Sequence, residues 1–395
     1  MKFIKVDDLQ PGMRLARPIY SKTGAMVYER DSKLTVQGIE SIRNFGFIGI
    51  YILEPAEPAT PLSEKELEFE KFQSIAVFRL KDDLLLLKNN KAPKFLLNLT
   101  QMIIKGYGSL EHKIHFIQSV RSVEDYVYKH SLNTAILASM ISQKMRIPYE
   151  EQVSIVCAAL VYDLGRLFVP AHILQKGNNV TEQERQQIRK LILKGYELLH
   201  PEQNDYKLPA TSIQIAGQMA KYEHDPKYPL PENVRWHRGT SVLHVASMYD
   251  TLTSMHLDEE EPMSGMAAID FFKQYPAYYM KKVVSALSQC VHILPTGCCV
   301  DLSDGEKGVI LSENTTNFAT PVVIRFSDHQ VLDFNDPAVA SKIKITDVMK
   351  TMDTRIPVDE ETLKQFNPDK HTKEATTRYF KKRAKLIAEG KQLQD

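Results

Sequence analysis

Apolar residues recur at helical spacing over most of the chain between residues 63 and about 290. The stretch 122–145 places them at Val123, Val127, Ile136, Leu137, Met140 and Ile141. A capping box, Thr181 with Glu184, predicts the start of another helix that runs to about Leu199. The same periodicity predicts helices near 64–87, 150–164 (ended by Gly165 as a cap), 210–222, 240–254 and 264–291. The predicted fold class is mainly α, a helical bundle.

The two ends of the chain have a different pattern. In residues 1–54 short strand-like runs alternate with turns, and a helix at 37–45, stopped by Gly46, precedes a strand at 47–53, which predicts a small α+β module. Strand-like runs at 300–302, 308–311 and 322–326, with a hairpin turn at Asp304 and Gly305, predict a short C-terminal β extension. The predicted domains are 1–54 N-terminal module, 55–62 proline-rich linker, 63–120 connecting helices, 121–292 helical domain, 293–335 β extension and 336–395 polar C-terminal segment.

The composition excludes some classes of protein. Fifty lysines and arginines stand against 49 acidic residues, so no overall field attracts nucleic acid or an anionic membrane. The N-terminus lacks the apolar run of a signal peptide, and internal apolar runs such as 155–162 are too short to span a bilayer. We therefore expect a soluble cytoplasmic protein with no membrane insertion and no nucleic-acid partner. The stretch 111–115, with His112 and His115, and the basic run from Tyr379 are interpreted as exposed helices.

The four cysteines form no disulfide framework and no CxxC pair; they are Cys157, Cys290, Cys298 and Cys299. A zinc site that combines Cys290, Cys298 and Cys299 with His292 is one interpretation. Adjacent cysteines in a strand point to opposite faces, however, and chelate one ion poorly. Reduced structural thiols are therefore the favoured interpretation.

Several sequence blocks occur in an order that resembles an HD-GYP domain. They are His130-Ser131, AALVYDLGR at 158–166, VPAHIL at 169–174, KGYELL at 194–199, KYP at 227–229 and VASMYDTLTS at 245–254. The segments LQPGM at 9–13 and VDLSDGE at 300–306 resemble modules that flank this domain in one subfamily. The resemblance extends to about residue 335. It implies an HD-domain helical bundle in a bacterial protein of the cyclic di-GMP phosphodiesterase family.

The resemblance implies metal-assisted hydrolysis of a phosphodiester, with two or three iron or manganese ions around a bridging hydroxide. His130 and Asp163 match two of the family's metal ligands, which number at least six. Other ligand positions carry poor donors, because Tyr162 replaces the histidine of the HD pair, Leu191 another histidine and Ser247 an aspartate. The paired histidines fall near Lys221 and Tyr222. We therefore expect a degenerate site with no catalytic residue, no resident metal and no cofactor.

Nearby residues leave an alternative open. Donors that could rebuild a metal site are Glu223, His224, Asp225, His237 and His244. With such substituted ligands the chain would be an active cyclic di-GMP phosphodiesterase that uses iron or manganese.

The two remaining ligands and a nearby arginine suggest other roles. Without metal, His130 and Asp163 are expected to form a charge-assisted hydrogen bond between two core helices. Arg166 is interpreted either as a contact for a nucleotide phosphate or as the ion-pair partner of Asp163.

The resulting hypothesis is a non-catalytic adaptor or sensor in cyclic di-GMP signalling that acts through partner or nucleotide binding. The expected partners are a GGDEF or other cyclic di-GMP signalling protein, and cyclic di-GMP itself; a homodimer stays open. Relatives use the GYP loop to meet GGDEF domains, but Lys227 replaces its glycine here.

Overall fold

The computed structural model describes residues 2–21, 25–45, 47, 49–53, 64–114, 116, 121–122, 124–200, 206–221, 236–254, 262–296, 298–314, 317–348 and 381. Outside these ranges lie the linker at 55–62, Gly46, the KYP loop and, except for Lys381, the basic run from Tyr379. Within them the fold is mainly α, an HD-domain bundle with small sheets near both ends, which confirms the predicted fold class.

The N-terminal module is a small sheet covered by one helix. Its strands and helix are β1 (Lys2–Lys5), β2 (Arg14–Leu15), β3 (Ile19–Tyr20), β4 (Met26–Tyr28), α1 (Val36–Asn44) and β5 (Gly49–Leu53). Strand β5 lies between β1 and β2 and is antiparallel to both, while β3 and β4 pair separately. Thr35 caps α1 by accepting a hydrogen bond from the Gly38 N–H at 3.0 Å. Ile42, Leu15 and Ile50 form the centre of its apolar core.

The helical domain is built around one central helix. Its helices are α2 (Glu64–Lys88), α3 (Leu96–Tyr107), α4 (Tyr126–Lys144), α5 (Tyr149–Val161), α6 (Ala171–Leu174), α7 (Glu182–Glu197), α8 (Ala210–Lys221), α9 (Arg238–Thr253), α10 (Gly265–Gln274) and α11 (Lys281–Ser288). Helix α4 packs against α2, α3, α5, α9 and α11 and is buried on nearly every side. A helix enclosed in this way holds its polar side chains inside the core, where they need partners.

Several predicted helices have different bounds in the structure. The stretch 264–291 forms two helices, α10 and α11, with Pro276 in the connection between them. Residues 111–114, which include His112, lie outside any helix, so that prediction is wrong there; Ile114 instead bridges Val291, and His115 lies outside the described residues. The capping box of Thr181 and Glu184 at the start of α7 is confirmed.

Gly165 does not cap α5, as the sequence suggested, but lies in a 3₁₀ turn at Leu164–Phe168. Helix α7 crosses this turn so closely that a Cβ added to Gly195 would collide with the backbone of Gly165. A Cβ on Gly165 would in turn collide with the backbone of Leu191 and Ile192. The glycine pair therefore fixes how α7 approaches the turn that follows Asp163.

The C-terminal extension is a five-stranded antiparallel sheet rather than a hairpin. Its elements are β6 (Cys299–Leu302), β7 (Lys307–Ser312), β8 (Val322–Arg325), β9 (Val331–Asp333), α12 (Pro337–Ala340) and β10 (Ile345–Val348). The predicted turn at Asp304 and Gly305 is confirmed between β6 and β7, with Gly305 at φ +81°. The strand order is β10-β6-β7-β8-β9, so the sheet extends beyond residue 335. Several of its buried residues, such as Val300, Ile310 and Val323, belong to the same core as the helices.

None of the described helices combines the length and the apolar character that crossing a membrane requires.

Candidate functional site

A cluster of buried polar side chains joins α4, α5 and α9. His130 comes from α4, Tyr162 from the end of α5, and Ser247 and Asp250 from one face of α9, three residues apart. Asn133 of α4 and Arg121, from the segment before α4, complete it. We call these six residues the His130 cluster.

Hydrogen bonds run through the His130 ring in one direction. Nδ1 of His130 lies 2.6 Å from Oδ2 of Asp250, and Nε2 lies 2.6 Å from the Tyr162 hydroxyl. Because the Asp250 carboxylate only accepts, Nδ1 must donate, and in the neutral ring Nε2 then accepts from Tyr162. The Tyr162 oxygen in turn accepts from Ser247, 2.8 Å away. Burial raises the pKa of Tyr162 above its ordinary value, so the phenol keeps its proton.

Asp250 is the charged centre of the cluster, and the sequence analysis missed it. Burial opposes its ionisation, but Arg121 and His130 outweigh burial and lower its pKa to about 2. Nη2 of Arg121 lies 2.7 Å from both carboxylate oxygens, and Nδ2 of Asn133 donates to Oδ1 at 2.9 Å. Arg121 and Asp250 are fully buried, so the charge of each side chain is stabilised by the opposite charge of the other.

Asp163 lies apart from this network, and the expected hydrogen bond between His130 and Asp163 is wrong. The carboxylate that binds His130 is Asp250, whereas Oδ1 of Asp163 accepts from Nε of Arg166 at 2.8 Å. The 3₁₀ turn that follows Asp163 brings Arg166 back to it, so the pair forms locally. Of the two roles considered for Arg166, the ion pair is present. Its side chain is 42% exposed, and its Nη groups make no hydrogen bond within the described residues.

Two of the other residues expected at ligand positions, Leu191 and Lys221, lie within the described residues. Leu191 is half-buried on α7, beside the contact between the two glycines, rather than part of the apolar core. Lys221 ends α8 with its ammonium 5.5 Å from the centre of the Tyr196 ring. Tyr222 lies outside the described residues.

The sequence of this chain is similar to that of a known protein family and of two curated proteins. Residues 112–279 match the family described as HD domain. The chain is 22% identical over 223 residues to the cyclic di-GMP phosphodiesterase PdeB of Borreliella burgdorferi. It is 23% identical over 214 residues to the cyclic di-GMP phosphodiesterase PA4108 of Pseudomonas aeruginosa. Together these matches support an HD-GYP family protein.

The similarity to these two relatives is partial in length. It covers 56% and 52% of this chain and 58% and 49% of the two relatives, so the chain spans about half the length of the curated relatives it matches. Among solved structures, Bd1817, an HDG"Y"P protein from Bdellovibrio bacteriovorus, aligns with a TM-score of 0.41 and 14% identity. That alignment covers 72% of this chain and 97% of that chain.

The donors present in the described part of this HD domain do not fit a cluster of metal ions. Within the described ranges no three histidine, cysteine, aspartate or glutamate side chains are close enough to hold an ion. Nε2 of His130 accepts from a phenol, and Leu191 offers no donor.

The histidines considered for a rebuilt site have other surroundings. His244 is buried and its ring stacks on Trp236. The ring of Tyr279 also contacts His244, with 4.8 Å between the two ring centres. His237 caps α9 by accepting from the Gly239 N–H. Glu223, His224 and Asp225 lie outside the described residues.

The proposed zinc ligands near the C-terminal sheet also have other partners. Sγ of Cys290 donates to the Ala286 carbonyl at 3.1 Å, and Nδ1 of His292 lies 2.6 Å from Glu313. All four cysteines are free thiols, of which Cys157 and Cys290 are buried. Burial raises the pKa of Cys157 to about 11 and that of Cys290 to about 12, so both are thiols near neutral pH.

Proposed function

We propose that this protein is a cytoplasmic cyclic di-GMP signalling protein whose HD-GYP domain acts as a non-catalytic sensor or adaptor. The observation that carries the proposal is the hydrogen bond between the Tyr162 hydroxyl and Nε2 of His130. Tyr162 occupies the position of the HD histidine, and its hydroxyl engages the ring nitrogen that a metal ion would need. The names of the two curated relatives support the link to cyclic di-GMP.

A protonated phenol is a poor replacement for imidazole as a ligand. Burial keeps the Tyr162 proton in place, and removing it to bind a metal ion would put a second negative charge near Asp163. Without a metal ion, water must attack a phosphodiester at its bulk pKa rather than at a lowered one. The His130 cluster is therefore better suited to holding the helices together than to hydrolysing a phosphodiester.

Arg166 is the residue that we propose for contact with a nucleotide. Its Nε donates to Asp163, and the two Nη groups of the half-buried guanidinium are left for a second partner. A guanidinium in this state binds phosphate oxygens through two parallel hydrogen bonds. The partner on this proposal is cyclic di-GMP or a GGDEF-type signalling protein.

Metal analysis and a turnover assay test the proposal together. Protein purified without chelator should contain far less than one iron or manganese per chain and should not hydrolyse cyclic di-GMP. Near one metal per chain, with turnover lost in Asp163→Asn, would establish the metal-dependent phosphodiesterase instead.

Calorimetry with cyclic di-GMP separates a nucleotide sensor from an adaptor. For a sensor, Arg166→Ala should weaken binding about tenfold, which corresponds to the loss of one charge-assisted pair. The matched control is Arg43→Ala, an exposed arginine on α1 that pairs with Asp7. If the wild-type protein does not bind cyclic di-GMP, the sensor role is excluded and only the adaptor role remains.

A further inference from the structure

A cavity of about 150 Å³ lies where the N-terminal module meets the helical domain. The segment 17–21 and the aromatic residues Phe45 and Phe47 form its wall on the module side. Helices α2 and α4 form the other wall, from Glu70 to Lys81 and from Asp125 to Asn133. Because both units contribute, the cavity exists only while the module is docked.

The walls combine aromatic rings with three cations (Arg17, Lys81 and Lys129) and three carboxylates (Glu70, Glu124 and Asp125). Phe47 and Phe78 offer apolar surface, and Lys129 lies 5.8 Å from the centre of the Phe47 ring. Lys129 is also bound to Asp125 at 2.6 Å, so that charge is balanced. Arg17 lies 3.8 Å from the buried carboxylate of Glu70.

Lys81 is the cation at this cavity that has no carboxylate partner within the described ranges. Its half-buried side chain places the ammonium 5.5 Å from the centre of the Tyr128 ring. Glu124 also lines the cavity, but it is exposed and its charge is solvated. A half-buried cation over a ring, beside two phenylalanines, suits a ligand that carries both an aromatic body and a negative charge.

The floor of the cavity is hydrogen-bonded to the His130 cluster. Nε2 of Gln73 donates to Oδ1 of Asn133 at 2.7 Å, and Asn133 donates to Asp250 at 2.9 Å. All three side chains are buried. The cavity wall therefore lies two hydrogen bonds from the carboxylate that orients His130.

A second route from the cavity to Asp250 runs along the backbone. Phe47 of the module forms a β-bridge with Ser122, and both residues line the cavity. Arg121, the residue before Ser122, extends into the core to bind Asp250. A shift of the module would thus move the group that balances the Asp250 charge.

We propose that this cavity binds a small aromatic anion and that Gln73 and Asn133 transmit its occupancy to Asp250 and His130. The proposal goes beyond the proposed function and does not depend on whether the HD-GYP domain binds or cleaves cyclic di-GMP.

Matched pairs of small molecules test the binding step. The anions are 1-naphthyl phosphate and 1-naphthoate, and the neutral control is 1-naphthol; inorganic phosphate controls for charge alone. Calorimetry should show binding of at least one aromatic anion and weaker binding of both controls. Binding of the phosphate alone would indicate a phosphorylated metabolite, and binding of the carboxylate alone an aromatic acid. Equal binding of the neutral compound, or no binding, would overturn the proposal.

Two lysine variants localise the site. Lys81→Met should weaken binding of the aromatic anion about tenfold, because it removes the unbalanced cation. Lys105→Met, an exposed lysine on α3 that does not line the cavity, should leave binding unchanged. If Lys81→Met binds as tightly as the wild type, the ligand lies elsewhere and the proposal is wrong.

The transmission step has its own measurement. In ¹³C-labelled protein, the imidazole resonance assigned to His130 by His130→Gln should shift when the anion binds. At saturating anion, whatever its affinity, Gln73→Met should reduce that shift; the isosteric change keeps the packing of α2. A His130 resonance that does not respond to saturating ligand, or responds equally in Gln73→Met, would show that the cavity is not coupled to the cluster. If Gln73→Met fails to fold, the wild-type response alone decides.

Discussion

The Tyr162 hydroxyl lies 2.6 Å from Nε2 of His130, while Asp250 holds the opposite nitrogen of the ring. Both nitrogens of His130 are thereby used inside the protein. On the proposed alignment of Tyr162 with the HD histidine, this position supplies a hydrogen-bond donor to His130. The stability of the fold should depend on that donor.

Removal of the Tyr162 hydroxyl should destabilise the protein. Tyr162→Phe removes the donor 2.6 Å from Nε2 of His130 and leaves only the longer contact to Ser247 at 3.4 Å, which costs about 1–3 kcal/mol in the free energy of unfolding. Tyr149→Phe, on the exposed start of α5, is the control and should change stability by less than about 0.5 kcal/mol. Urea unfolding monitored by circular dichroism measures both. An unchanged free energy for Tyr162→Phe would mean that the hydrogen bond contributes nothing.

The pH dependence of stability should report on Asp250. Its folded pKa of about 2 lies below the ordinary value of 3.8, so its contribution is complete above about pH 4 and is lost as the pH falls toward 2. A shift of this size corresponds to roughly 2 kcal/mol. Asp250→Asn should destabilise the protein by about 3 kcal/mol near pH 7, because it leaves Arg121 buried without its counter-charge.

The two proteins should then converge in stability as the pH is lowered. Unfolding free energies at several pH values between about 2 and 7 measure this. Asp270→Asn, an exposed residue paired with Lys273, is the control and should follow the wild type. A constant difference between wild type and Asp250→Asn at every pH would contradict the assigned ionisation.

The crossing of α7 over the 3₁₀ turn should tolerate no side chain. Gly195→Ala would press its Cβ into the Gly165 backbone, and we expect a loss of about 2–4 kcal/mol and a lower melting temperature. Gly106→Ala is the matched control, because that helical glycine on α3 has open space around a Cβ. It should stabilise the protein by up to about 1 kcal/mol through helix propensity. Equal effects of the two substitutions would show that α7 can move away from the 3₁₀ turn without loss of stability.

Sequence periodicity located most of the helices, although it merged α10 and α11 into one, but it did not find the full cluster. His130 and Tyr162 could be placed because they lie in strongly periodic helices next to recognisable blocks. Asp250 was missed although it lies three residues after Ser247, on the same face of α9; that spacing was the available signal. Arg121 could not be found, because it precedes α4 in an irregular segment and its partner is 129 residues away. The strand β10 was missed because only Ile345 of its four residues is buried, which gives a weak pattern.

The last prediction concerns restoring the ligands that the family pattern requires. The triple variant Tyr162→His, Leu191→His and Ser247→Asp places three donors near His130 and Asp163. Tyr162 and Ser247 already lie within hydrogen-bond range of each other, so their replacements should converge on one ion. Leu191 is half-buried on α7, and a histidine there should cost less than in a closed core, about 1 kcal/mol.

Added manganese should raise the melting temperature of the triple variant and leave the wild type unchanged, because a ligand that binds only the folded state stabilises it. Tyr162→His alone should respond weakly, since chelation needs several donors together. Differential scanning calorimetry with and without manganese measures the effect, and elemental analysis gives the metal content. We expect metal uptake before hydrolysis, because the family's paired histidines fall near Lys221 and Tyr222, which stay unchanged. If the triple variant folds and manganese shifts neither protein, these three positions do not share a pocket with His130, and the assignment of Tyr162 to the HD histidine is wrong.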